Sequence, residues 1–112
     1  MLSARYEISR DAILGEKQVI CTYEGHHRVV CPIILGNTGC EEKVLTYQFG
    51  GTSGRGLAPG GDWRCMHLST VRDARLRDGP RHEGSGQHRK EQTCVVDVGL
   101  DINIHVRKLR AP

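Results

Sequence analysis

The chain has 112 residues, of which 38% are hydrophobic and 4% aromatic, with 14 glycines and a formal net charge of +3 at pH 7. This length suits a single domain with a small, mostly aliphatic core. No apolar run approaches the roughly 20 residues of a membrane-spanning helix, and the first residues lack the apolar centre of a secretory signal, so we expect a soluble, cytoplasmic protein.

A helix is predicted only near the start, within residues 7 to 17. Ser9 is placed to cap it and Asp11 suits its first turn. Ile13 and Leu14 are expected to pack against a sheet. The segment is short, so the prediction is a turn or two of helix.

Five runs rich in Val, Ile, Tyr and Thr alternate between apolar and polar residues, which is typical of half-buried β-strands. They are residues 18–24, 28–35, 43–49, 63–68 and 70–76. Turns are predicted at 24–27 and 36–39, and Pro32 must lie at an edge or a bulge because proline has no N–H to donate. We therefore predict a mainly β protein, a small and strongly bent antiparallel barrel of five strands.

The remaining segments are assigned by composition. Residues 50–61 form a glycine-dense loop, and residues 77–92 form a polar linker with no apolar anchor. Residues 93–98 read as a late strand that pairs with a free barrel edge or with another subunit, and 104–110 as a tail. The predicted organisation is thus a lead-in over 1–17, a barrel over 18–76, and a linker with C-terminal strand and tail over 77–112.

The five cysteines form an odd set without the close pairs of a zinc site, and an even number would be usual for a disulfide scaffold. Four of them lie in apolar runs, where a free cysteine behaves as a small buried hydrophobe. They are Cys21, Cys31, Cys65 and Cys94. We expect reduced, structural thiols, with no metal and no cofactor.

Positive charge is concentrated in the second half of the chain. Residues 1–63 hold six Lys and Arg against seven Asp and Glu, whereas residues 64–112 hold ten against six. Twelve of the sixteen cations are arginine, which binds phosphate bidentately and stacks on bases. Two interpretations stay open here: a surface that faces a polyanion, or an ordinary solvated surface with mixed ion pairs.

Catalytic and nucleotide-enzyme motifs fail on context. The glycine loop has no following lysine and leads into a strand, so it is not a P-loop, although its N–H groups around Arg55 could line an anion; a plain hairpin loop is the alternative. Nucleophile, acid and base are not visible together, so no enzyme is expected. Tyr23, Tyr47 and Trp63 serve either as stacking platforms or as core.

The order of several residues resembles a WYL domain. The matching residues are Tyr23, Arg28, Pro32, Leu35, Tyr47, Arg64, Leu68 and Val71. The Trp-Tyr-Leu triplet is Leu45-Thr46-Tyr47 in this chain, and the family's phenylalanine and last basic residue are Cys65 and Thr70, so the chain resembles a divergent member. The resemblance implies a five-stranded Sm-like, SH3-type barrel of the kind found in bacterial transcription regulators. With no helix-turn-helix ahead of it, a stand-alone module is expected.

The resemblance also implies a function. Such barrels sense nucleotides or single-stranded nucleic acid through arginines and aromatic rings. For this chain, Arg28 and Arg64 are then expected to contact phosphate, Tyr47 to stack on a base, and Arg55 to close over the ligand. The alternative function is an oligomerisation or protein-interaction module, in which residues 93–98 add a strand to a homodimer mate or to a regulatory protein partner. No membrane contact is expected.

Overall fold

The computed structural model describes residues 3–51, 61–82 and 92–102, which form one α-helix, one 3₁₀ turn and one antiparallel sheet of six strands. In chain order these are α1 Ala4–Gly15, β1 Gln18–Tyr23, β2 His26–Thr38, β3 Glu41–Gly51, β4 Asp62–His67, the 3₁₀ turn Leu68–Thr70, β5 Arg72–Arg77 and β6 Asp97–Asp101. The predicted mainly β class with a short N-terminal helix is confirmed. Most of the predicted glycine loop and polar linker, and the predicted tail, lie outside the described residues.

Helix α1 begins three residues earlier than predicted. The Ser3 hydroxyl caps it by accepting a hydrogen bond from the Tyr6 N–H at 3.1 Å, which satisfies a backbone donor that the first turn leaves open. Glu16 ends the helix in the left-handed region, with φ at 53°. Ser9 lies buried within the helix and does not cap it.

The helix packs on the sheet through one side only. Ala12 and Ile13 are fully buried, whereas Leu14 is 47% exposed. Each helical residue turns about 100° from the one before it, and Leu14 lies past the edge of the buried side, so the prediction that Leu14 packs on the sheet is wrong. Among the described residues, no helix is long and apolar enough to cross a membrane.

Strand β2 has two neighbours along one edge. It pairs with β1 up to Val30 and with β6 from Ile34, while β3 follows the opposite edge. The β2–β3 register shifts between Pro32 and Ile34, which confirms the bulge alternative for Pro32. Gly36–Thr38, predicted as a turn, continues the strand. Strand β2 extends beyond the end of β1. The backbone N–H and C=O groups in the second half of β2 therefore need another partner, which β6 supplies.

The sheet curls but stays open. Its path is β4-β3-β2-β1-β5, with β6 beside β2. The end strands β4 and β5 are separated in the chain only by the 3₁₀ turn and Val71, so they must come close at that end. There the Tyr23 hydroxyl accepts a hydrogen bond from the His67 N–H at 3.1 Å. In the described ranges β4 and β5 do not pair, and the prediction of a closed, five-stranded barrel is therefore wrong.

A single apolar cluster joins α1 to the sheet, with both the 3₁₀ turn and the segment around β6 contributing. Its most deeply buried members include Ile13, Ile33, Leu35, Met66, Leu68, Val95 and Ile102. Burying one such side chain stabilises the fold by roughly 1.5 to 3 kcal/mol. Val95 and Ile102 flank β6, so this late strand is part of the folded domain.

The first residues after β5 are anchored by polar contacts. Gln18 Nε2 donates to the Pro80 carbonyl at 2.7 Å, and Arg81 donates to the carbonyls of Lys17 and Pro32 at 2.6 and 2.7 Å. The His82 ring stacks on Phe49 at 4.1 Å. Residues 80–82 of the predicted polar linker are therefore held to the sheet, by Gln18 and Phe49 and through the linker's own Arg81 side chain.

Cys65 and Cys94 form a disulfide, with their Cα atoms 5.5 Å apart. The prediction that both are reduced is wrong, because the fold brings β4 next to the segment before β6. Cys21 and Cys31 are free and buried, as predicted, and Cys40 is free and exposed. The disulfide ties the late strand to the end strand of the sheet.

Candidate ligand-binding site

Of the four residues predicted to bind a ligand, the structure describes Arg28, Tyr47 and Arg64, whereas Arg55 lies outside the described residues. Arg28 is the third residue of β2, Tyr47 lies in β3 and Arg64 in β4. Arg28 and Arg64 both contact one buried side chain, that of Gln48, whereas Tyr47 points to the other face of the sheet.

Arg28 is 3% exposed. Its Nε donates to the Tyr23 carbonyl at 3.2 Å and its Nη1 donates to Gln48 Oε1 at 3.1 Å. The guanidinium also lies 5.2 Å from the centre of the Tyr23 ring, within the range of a cation–π contact. The carboxylate of Glu24 is 3.4 Å from Nη2, but the Glu24 side chain is 70% exposed. The charge of Arg28 could attract a ligand electrostatically, but the buried guanidinium is not positioned to enclose a ligand by direct contacts.

Arg64 meets the same acceptor. Its Nε donates to Gln48 Oε1 at 3.2 Å, and its Nη2 lies 3.5 Å from a carboxylate oxygen of Asp62. The Arg64 side chain is 23% exposed, so part of it borders solvent. Arg28 and Arg64, hereafter the arginine pair, thus place two guanidinium groups around one neutral amide oxygen.

Gln48 holds this arrangement in place. It is fully buried, and its Nε2 donates to the Gly50 carbonyl at 2.9 Å, which turns its oxygen toward the arginine pair. Thr46, two residues earlier on the same face of β3, is also buried and donates to the Arg64 carbonyl at 3.2 Å. Sequence reasoning missed Gln48. The sequence signal that could have identified Gln48 is its spacing from Val44. The two residues are four apart in β3, so both side chains point to the same, buried face of the strand.

The electrostatic character of the site follows from these contacts. Like charges that share one acceptor repel each other, and burial strengthens the repulsion because little water is present to screen it. Carboxylate oxygens of Glu24 and Asp62 lie 3.4 and 3.5 Å from the two guanidinium groups, on side chains that are 70% and 36% exposed. An anion next to Arg64 would be attracted by both guanidinium groups.

Tyr47 is directed away from the arginine pair. It precedes Gln48, and successive strand residues point to opposite faces. Its ring packs edge-to-face against Trp63, with centroids 5.3 Å apart and planes at 74°. Trp63 lines an open cleft of about 560 Å³ that also includes Lys43, Leu45 and the Cys65–Cys94 disulfide. The predicted stacking residue therefore belongs to an aromatic pair on the opposite face.

The buried thiols have the properties of core groups. Burial raises the pKa of Cys21 to about 11, against the opposing charge of Arg28. Burial also raises the pKa of Cys31, despite a hydrogen bond from the His82 N–H and the charge of Arg81. Both thiols are therefore protonated near neutral pH, whereas a nucleophilic cysteine reacts as the thiolate.

Comparisons with known proteins give no relatives. No protein-family model matches the chain, no curated protein matches it, and no solved structure matches its fold. The resemblance to WYL domains therefore stays a prediction from the sequence.

Proposed function

We propose that this chain is a non-enzymatic ligand-sensing module that binds a nucleotide-containing ligand or single-stranded nucleic acid. The observation that carries the proposal is the arginine pair, two guanidinium groups hydrogen-bonded to the single amide oxygen of Gln48. A phosphate group next to them would relieve their mutual repulsion and gain charge-assisted hydrogen bonds. The divergent WYL assignment and a role in bacterial transcription regulation are part of the same proposal.

The structure suggests different roles for the predicted residues. Arg64, which borders solvent, contacts the phosphate, and Arg28 supplies a buried positive charge beneath it. Because β4 is at an end of the sheet path, a ligand that crosses this strand meets Arg64 on one face and the Tyr47–Trp63 rings on the other. Arg55, in the segment leading into β4, stays a proposed contact.

The test is a titration of fluorescently labelled oligothymidylate and of nucleoside monophosphates, followed by anisotropy or calorimetry at several salt concentrations. Arg64→Gln should weaken binding about tenfold or more, because a hydrogen bond to a charged group contributes roughly 1.5 to 3 kcal/mol. The matched control is Arg10→Gln, which removes the same charge from a residue of α1 whose side chain is 41% exposed. Absence of binding at low salt, or equal binding by the Arg64 and Arg10 variants, would contradict the proposal.

A second candidate is assembly through β6, favoured by two exposed valines. Val96 is 66% and Val98 is 46% exposed, and β6 pairs with β2 alone among the described strands. An edge with apolar side chains is suited to receive a strand from a homodimer mate, or from a regulatory protein partner. Light scattering coupled to size-exclusion chromatography tests this: a dimer that Val96→Lys with Val98→Lys converts to a monomer supports assembly, and a wild-type monomer at all concentrations rejects it.

The cytoplasm is the proposed location, and it constrains the disulfide. Cytoplasmic disulfides are mostly transient or redox-sensing, so the Cys65–Cys94 pair should be substantially reduced in growing cells. Acid trapping followed by differential alkylation measures this fraction. A pair that is fully oxidised in cells would place the protein elsewhere.

A further inference from the structure

Strand β5 presents three exposed arginines, Arg72, Arg75 and Arg77. Their spacing in sequence alone would divide them between two faces, because Arg72 and Arg75 are an odd number of residues apart and strand side chains alternate. The pairing of β5 with β1 shows otherwise. Arg77 lies opposite Gln18, Arg75 opposite Ile20 and Arg72 opposite Thr22.

Alternate residues of β1 share one face, and residues directly opposite each other in an antiparallel pair share that face too. All three arginines therefore lie on one side of the sheet. The cause is a β-bulge: between the pairs formed by Ile20 and Thr22, one residue of β1 faces two residues of β5, and Asp73 is the extra residue, in the left-handed region with φ at 53°. Aspartate tolerates this conformation better than most residues.

These guanidinium groups have few partners. Arg72 donates to the carbonyls of Ser69 and Val71 at 3.0 and 3.3 Å. The side chains of Arg75 and Arg77 make no hydrogen bond or ion pair to any residue within the described ranges. Asp78, the next acidic residue after Asp73, is bound to Lys17, whose contact lowers the pKa of that carboxyl. Among the described residues, no acidic side chain forms an ion pair with this surface, hereafter the β5 arginine face.

Protection against aggregation is the ordinary explanation for charge on an edge strand. It accounts for charged side chains, but it does not require three cations of one sign on one face. A row of arginines along an extended strand instead suits a ligand with regularly repeated anionic groups, and arginine binds such groups bidentately.

The face and the arginine pair lie on opposite sides of the sheet, because Arg28 is opposite Cys21 of β1, and they approach each other only around the end of the β1–β2 hairpin. An open cleft of about 460 Å³ is lined by Arg72 and by Glu24, together with Tyr23 and His67. Glu24 is the carboxylate that lies nearest the Arg28 guanidinium. A chain-like ligand that contacts the arginine pair would therefore pass around the hairpin end, through this cleft, to reach β5.

We propose that the β5 arginine face binds the backbone phosphates of single-stranded nucleic acid and extends the site at the arginine pair from one nucleotide to several. This inference rests on the proposed function for the choice of ligand. It predicts a division of labour: the arginine pair determines whether a mononucleotide binds, and the β5 arginine face determines how affinity grows with strand length.

The experiment measures oligothymidylates from one to about twelve nucleotides, a range that brackets common single-strand site sizes. The test variant is Arg72→Gln, Arg75→Gln and Arg77→Gln combined, and the charge-retaining control replaces the same three residues with Lys. All three positions are exposed, and circular dichroism melting confirms that both variants fold.

The Gln variant should bind the longest strand at least tenfold more weakly, leave mononucleotide affinity unchanged, and reduce the slope of log K against log salt by about 2, since each single-strand phosphate contact contributes about 0.7. The Lys control should keep the wild-type slope. Wild-type length dependence and slope in the Gln variant would overturn the inference.

Two further results separate this inference from the proposed function. If Arg64→Gln has no effect while the β5 variant loses long-strand binding, the arginine pair is not the ligand site and the β5 arginine face still is. Asp73→Asn keeps a residue that accepts the left-handed conformation and removes a negative charge, so it should raise long-strand affinity severalfold. A lower affinity for this variant would count against the face.

Discussion

At the residue scale, Gln48 is the side chain on which the candidate site depends. Its oxygen accepts from both Arg28 and Arg64, so it turns two like charges into a stable arrangement without neutralising them. A carboxylate at the same position would neutralise them, so the proposed binding of an external anion depends on an amide at residue 48.

Gln48→Glu tests this interpretation. A glutamate side chain of the same length would pair with both guanidinium groups, so the folded protein should keep its stability or gain up to about 2 kcal/mol, while the affinity for nucleotides falls at least tenfold because the internal carboxylate competes with phosphate. Gln48→Leu should instead cost about 2 to 3 kcal/mol, since it removes the acceptor that the buried Arg28 shares with Arg64. Urea unfolding and ligand titration of the two variants give the comparison, and a Glu variant that binds as well as wild type would contradict it.

Cys21 predicts a loss of stability at alkaline pH. Its thiol has a pKa of about 11 in the folded chain, above its ordinary value of 9.0. The unfolded chain therefore gives up this proton first, and folding loses stability as pH rises from about 9 to 11. The expected loss is roughly 2 to 3 kcal/mol. Chemical unfolding across this pH range should show a shallower decline for Cys21→Ala, and parallel curves for the two proteins would rule out this origin.

At the element scale, the alternation of apolar and polar residues predicted most of the strands. It failed where the structure depends on pairing between distant segments. It located five strands and the turn at Glu24–Gly25, because exposed and buried faces leave a period of two in the sequence. It could not show that β2 extends to Thr38 or that β6 joins it, since both depend on pairing between distant segments. The burial of Arg28 was hidden for the same reason: its acceptor lies 20 residues away.

Gly36 marks the junction of β2 and β6. A Cβ atom there would lie 2.1 Å from the Asp97 carbonyl oxygen and 2.7 Å from Val95 Cγ1. Gly36→Ala should therefore separate the two strands and cost about 2 kcal/mol, with faster hydrogen exchange in residues 97–101. The control is Gly25→Asn, where φ is +78° and no atom lies within 4 Å; it should change stability by less than about 0.5 kcal/mol. Unchanged exchange in β6 of the Ala variant would show that the pairing tolerates the clash.

At the scale of the whole molecule, the fold is an open sheet whose late strand is fastened by a covalent link. Cys65 and Cys94 are 29 residues apart in sequence, and cysteine spacing alone could not pair them, because three other cysteines offered equal alternatives. The curl of the sheet was predictable from its short turns. That the sheet stays open was not predictable from the sequence. Closure requires β4 and β5 to pair, and it therefore depends on the position of β5, which is bulged and highly exposed.

Reduction of this disulfide should lower the free energy of unfolding by about 3.5 kcal/mol, as expected for a loop of this length. Guanidinium unfolding with and without reductant, followed by circular dichroism, measures the difference. The double variant Cys65→Ser with Cys94→Ser is the control and should respond to reductant by less than about 0.5 kcal/mol. Equal midpoints for oxidised and reduced wild-type protein would mean that the link contributes nothing to stability.

The position of Trp63 has a practical consequence. It is the only tryptophan in the chain, and it shares a cleft with the Cys65–Cys94 bridge while its ring packs on Tyr47. Sulfur bridges quench indole emission at short range, so the light emitted by unlabelled protein should brighten when the bridge opens. A base that stacks on the same ring should dim it. Trp63 fluorescence would then increase on reduction of the disulfide and decrease on binding of a nucleotide, so one sample reports on both events.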